Sequence, residues 1–138
     1  MKQDLGFYDY WPYENRPKIQ WPGGAKLAFW VAPNIEYYEL DPPQNPFRKA
    51  WPQPTPAVAG YSIRDYGNRV GHSRQMQLLD KYGIRGSVSL STALCDHHPE
   101  IIKQCRDLDW EFFSHGIYNT RYTYGMTEDQ EREMIRDS

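Results

Sequence analysis

Five side chains carry the chemistry of interest: Glu36, Arg69, His115, Tyr118 and Asn119. Glu36 ends the apolar run "KLAFWVAPNIE", and a carboxylate there can serve as general base where its surroundings are partly dry. His115 follows a second apolar stretch, "DWEFFS", and precedes Gly116. Its imidazole can ligate a metal, shuttle a proton or donate to a carbonyl oxygen, and the glycine lets a ligand or backbone approach closely. Asn119 comes four residues later, either as a donor to a substrate carbonyl or as the closure of an Asx turn. Its amide oxygen is a poor zinc ligand. Tyr118 belongs to the aromatic loop that would shape a pocket. In "RDYGNRVG", residues 64–71, Arg64 or Arg69 can clamp a carbonyl-rich or anionic group, and Arg69 is taken as the substrate-binding candidate. The plainer alternative is that these arginines pack on tyrosines or pair with Asp65. Three other features read as ordinary structure. Glu39 reads as a solvated loop residue and His72 as surface or half-buried. "ALCDHHPE" reads as a loop in which Asp96 caps a helix, its adjacent histidines diverging.

The elements that must position these groups follow from period and punctuation. Residues 26–36 read as a strand buried on both faces. Residues 40–60 hold six prolines and read as a long loop. A helix is expected from Gly67 to Tyr82 with Gly83 as its C′ residue, then a strand over 84–91. A helix over 97–108 carries Pro99 in its first turn, and residues 109–114 form a third strand that hides Phe112 and Phe113. Thr127 should cap a last helix. Strands alternating with helices mean an α/β fold with a parallel sheet, in which ligands gather at the carboxyl ends of the strands. Both Glu36 and His115 stand at such ends.

A chain of 138 residues is one domain's worth, and a net charge of −2 offers no footprint for nucleic acid. No apolar run reaches membrane-spanning length. Cys95 and Cys105 are expected to be free thiols, consistent with a cytoplasmic location. Residues 1–24 alternate aromatics with Pro and Gly and should form an irregular arm. Three strands are too few to close a barrel. The expectation is a single, incomplete domain over 1–138 comprising the first three βα units of a longer protein, with exposed edges that favour a homo-oligomer.

The segments "KLAFWVAPNIEYYE", "RDYGNRVGHSRQMQLLDKYGIRGSVSLS" and "EFFSHGIYNTRY" resemble the polysaccharide deacetylase superfamily of the NodB-homology type, and within it the branch of metal-independent allantoinases. The resemblance covers roughly residues 20–138. It implies a distorted (β/α) barrel that hydrolyses carbon–nitrogen bonds other than peptide bonds, in an N-acetylated sugar or a cyclic amide or ureide. "NIEYYE" matches the first motif of the family, with Glu36 in the acidic position. "SHGIYN" matches the second, keeping its first histidine as His115 and placing Asn119 where the second metal-binding histidine would stand. The resemblance therefore implies no cofactor or a weakly bound divalent metal on His115, with zinc disfavoured. The rival reading is a non-catalytic carbohydrate-binding module, or a fragment that depends on a partner.

Overall fold

The computed structural model describes residue 7, residues 9–43 and residues 56–138. The start of the N-terminal arm and most of the proline-rich loop lie outside the described residues. The fold is organised around "SVSLS", residues 87–91, whose serines alternate with apolar residues. Strand β2 (Ser87–Leu90) buries Val88 and Leu90 in a core shared with Ile35, Met76, Leu94, Ile101, Cys105 and Trp110. Because successive strand residues face opposite sides, Ser87, Ser89 and Ser91 occupy the other face. Strands β1 (Asn34–Ile35) and β3 (Glu111–Ser114) flank β2 in parallel, in the order β1-β2-β3. Ile35 pairs with Leu90, and Leu90 pairs with Ser114. A mixed α/β chain with a three-stranded parallel sheet is consistent with part of a (β/α) barrel.

The first strand is shorter than the apolar run suggests. Beyond β1 there is an isolated bridge from Val31 to Gly86, and Leu27, Phe29 and Trp30 are exposed. Pro33 supplies no N–H to the ladder, although its carbonyl accepts from the Ser89 N–H at 3.0 Å. The strand is also at the sheet's edge, so only one side is paired.

The expected first helix begins earlier. Helix α1 (Val58–Tyr66) leads into a π-helical turn, Gly67–Gly71, which continues as α2 (His72–Lys81). Gly67 and Gly71 both take right-handed helical torsions, so the glycines widen the helix instead of starting it. Helix α1 buries no residue, which is why its periodicity is faint in the sequence. Gly83 ends this stretch with φ 65°, as expected of a C′ glycine.

The second expected helix is divided. A short α3 (Leu94–His97) precedes α4 (Pro99–Asp107), and His98 joins them with φ −141°. A residue before proline is driven out of the helical region, so His98 occupies the N-cap position and Asp96 lies within α3. Trp110 is buried, but Phe112 and Phe113 remain 38% and 44% exposed, against expectation. β3 is the opposite edge strand, and Phe113 meets the ring of Trp30, tilted at 6.3 Å between centroids. Thr127 does cap α5 (Glu128–Asp137): its hydroxyl accepts from the Gln130 N–H and the Gln130 side chain accepts from the Thr127 N–H. Cys95 is exposed, Cys105 is buried, and neither is bridged. Among the described residues no helix is long and apolar enough to cross a membrane.

Candidate functional site

One residue beyond the paired positions Ile35, Leu90 and Ser114 stand Glu36, Ser91 and His115. The Ser91 N–H donates to the Ile35 carbonyl at 3.0 Å and the His115 N–H to that of Leu90 at 2.8 Å, so the parallel ladder extends to this row. Strand alternation places Glu36, Ser89, Ser91 and His115 on the face away from the core. Glu36 and His115 leave strands two spacings apart, roughly 10 Å. Their side chains meet across the small serines of β2, with His115 Nε2 3.3 Å from Glu36 Oε1. The other ring nitrogen, Nδ1, lies 3.0 Å from the hydroxyl of buried Ser89.

The second carboxylate oxygen of Glu36 is held from the loops. It accepts from the Tyr38 hydroxyl at 2.8 Å and from Asn119 Nδ2 at 2.5 Å, and the same amide group donates to the Tyr38 oxygen. Burial first, and then the hydrogen bond to Glu36, hold the Tyr38 phenol above its ordinary range, so it remains a donor. Its ring carries the Arg64 guanidinium 4.1 Å from the centroid. Buried Asn68, in the π-helical turn, donates from Nδ2 to the Glu36 carbonyl at 3.1 Å. Turns of this type that interrupt helices are frequent at functional positions. Gly116 adopts φ 80° with open space where a Cβ would stand, so it serves the turn after His115 and not a close approach.

Of the sequence candidates, Glu36, His115 and Asn119 come together. Asn119 acts on the carboxylate, an outcome that neither the substrate-donor nor the Asx-turn reading contains. Arg69 is bound to Asp65 at 2.5 Å, and the arginine brought beside the Glu36 cluster is Arg64. Tyr118 joins an adjoining group. Its ring stands edge-on to Tyr37 at 5.9 Å, its hydroxyl lies 3.4 Å from His97 Nε2, and Arg121 stacks on it at 4.2 Å. His97, expected to be a plain loop residue, lies flat on Tyr37 with centroids 4.1 Å apart. Glu39 is not solvated either. It takes Arg121 Nη2 at 2.6 Å and the Thr120 hydroxyl at 2.6 Å. Burial acts to raise its pKa, but Arg121 and Thr120 outweigh burial and hold the carboxyl below the usual range.

Ser89, Tyr38 and Asn68 were missed by sequence reasoning. The alternation in "SVSLS" and the tyrosine two residues beyond Glu36 were the available signals; nothing local marks Asn68. Among the described residues no three His, Cys, Asp or Glu side chains gather as a metal-binding group. Asn119 turns its amide nitrogen, not its oxygen, toward Glu36, so the donor set present does not fit a zinc ion.

Two solved structures share the fold of this chain. The PuuE allantoinase matches with a TM-score of 0.72 and 24% identity over 94% of this chain and 48% of that one. A protein from Mycobacterium smegmatis named for polysaccharide deacetylases matches with a TM-score of 0.63 and 24% identity, over 86% and 39%. The chain thus spans about half the length of the first and less of the second. No family model and no curated protein matches the sequence.

Proposed function

We propose that this chain carries the catalytic pair of a hydrolase of non-peptide C–N bonds, acting on an N-acetylated sugar or on an allantoin-like ureide. The observation that carries the reading is the approach of Glu36 and His115 to 3.3 Å over the carboxyl end of a parallel sheet. Glu36 takes a proton from water as the water oxygen attacks the carbonyl carbon. His115 donates through Nε2 to the oxyanion that develops. The proton on Glu36 then passes to the leaving nitrogen as the C–N bond breaks, giving a carboxylic acid with an amine from the sugar amide, or with a urea group from the ureide. Tyr38 and Asn119 position the carboxylate, and the Tyr37, His97 and Tyr118 rings wall the site. No step requires a metal. The two unbridged thiols support a reducing, cytoplasmic setting.

The test is kinetics of the full-length protein on an N-acetylated sugar and on allantoin. Glu36→Gln and His115→Ala should each lower turnover at least ~10²-fold, and the pair together little more, because groups acting as a unit are not additive. Near-normal turnover in both variants refutes the reading. One observation favours a second reading: Trp11, Trp21, Trp30, Tyr10 and Tyr13 are exposed and suited to stacking on sugar rings. Sugar binding that quenches tryptophan fluorescence without turnover would establish that alternative.

A further inference from the structure

We propose that Ser89 is a positioning residue that fixes the tautomer and orientation of His115, so that in the neutral ring Nε2 carries the proton and Nδ1 accepts. The inference rests on the functional reading above, whose mechanism needs a donor at Nε2. It begins with Glu36. As a carboxylate, Glu36 has only acceptors, and its Oε1 faces His115 Nε2 at 3.3 Å. A bare Nε2 would set two acceptors against each other, so Nε2 must present an N–H. In a neutral ring that leaves a lone pair on Nδ1, which requires a donor. The group 3.0 Å away is the Ser89 hydroxyl, whose proton is free to turn toward it.

A hydroxyl suits this place better than an amide or a carboxylate. It donates to Nδ1 while the ring is neutral and can rotate to accept should the ring become an imidazolium. Ser89 also sits in the middle strand, with its backbone N–H held by Pro33 and its neighbours paired to β1 and β3. The support is therefore rigid. The serine is only 4% exposed and its hydroxyl is directed at the imidazole, so it is not placed to attack a substrate despite the Ser–His–acid order of the contacts. It acts through His115.

The experiment is 15N NMR of histidine-labelled protein at a pH where the imidazole is neutral, with the His115 signals assigned by their loss in His115→Gln. The expected result is a pyrrole-type Nε2 and a hydrogen-bonded, pyridine-type Nδ1. In Ser89→Ala the Nδ1 signal should move to that of an unbonded nitrogen, and kcat should fall about tenfold, the scale of one neutral hydrogen bond, with KM kept. Ser89→Thr retains the hydroxyl on a strand-compatible residue and should recover both readouts. A protonated Nδ1 in the wild-type protein overturns the proposal, and so does a Ser89→Ala variant with an unchanged Nδ1 signal. The NMR readout needs no turnover: an Nε2–H tautomer in a protein that hydrolyses nothing would refute the functional reading and leave this assignment standing.

Discussion

Replacing Gly86 with alanine probes the packing beneath the site. Gly86 bridges to Val31 and its carbonyl accepts from the Glu111 N–H at 3.0 Å, so it joins all three chain segments of the sheet. An added Cβ would lie 2.7 Å from Cε3, 2.9 Å from Cδ2 and 3.0 Å from Cζ3 of Trp110. Those atoms belong to a fused ring that is 6% exposed and cannot swing aside like the end of a flexible chain. The backbone at Gly86 is not left-handed, so the steric clash acts without torsional strain. Alanine narrows the unfolded ensemble and returns ~0.4–1 kcal/mol. Overpacking costs ~1–3 kcal/mol. At mid-range these leave a net loss of about 1.3 kcal/mol, or a fall in Tm of roughly 4–5 °C for a chain of this size. Trp110→Phe removes Cε3 and Cζ3 but keeps a carbon at the Cδ2 position, so Gly86→Ala in that background should cost less by at least ~0.5 kcal/mol. Thermal melts of the four proteins measure the cycle. An unchanged or higher Tm for Gly86→Ala, or strict additivity with Trp110→Phe, refutes the reasoning.

Further outcomes follow from other groups. Elemental analysis of protein purified without chelator should find well under one zinc per chain, because Asn119 gives Glu36 its nitrogen; zinc that survives dialysis at one per chain would contradict this. Burial pushes the Cys105 thiol up to about 11, whereas Cys95 is exposed. Iodoacetamide near neutral pH should therefore label Cys95 in the folded chain and reach Cys105 only after denaturation, as peptide mass mapping would show. Burial lowers the pKa of His72 from its ordinary 6.5. The unfolded chain then takes up the proton first, so stability should fall as pH drops below about 6.5 and level off beneath the folded value. Urea midpoints across this range should lose part of that slope in His72→Gln.

The order of strands and helices was legible because β2 and its neighbouring helices bury apolar residues at regular spacing. The pairing of Glu36 with His115 was legible because both follow apolar stretches, and parallel strands bring such ends to one side. The faint parts have physical causes. Leu27, Phe29, Phe112 and Phe113 look like core residues, but the first two precede the sheet and the last two lie in its edge strand, and periodicity does not tell what lies across from a face. Gly67 looked like a helix start because propensity carries no information about a π-helical turn. The long-range partners of Glu39 and Asn119 lie more than 80 positions away, beyond any local pattern.

The row of Glu36, Ser91 and His115 also makes the 3.3 Å contact between Glu36 and His115 an all-or-none reporter of strand alignment. A slip of one residue in the pairing of β3 with β2 would turn His115 toward the helices and carry Phe113 with it. β1 has just two paired residues and gives little resistance to sliding on its own. Beside the burial of Ile35 and the Val31–Gly86 bridge, the contacts of the site resist it, from Glu36 to His115 and Asn119 and from Glu39 to Thr120 and Arg121. These ties close only after distant parts of the chain have met, so they carry a loop-closure cost that local helices escape. The groups that would cleave a substrate should thus be among the last to assemble during folding, and a chain in the wrong register would have no competent pair at all.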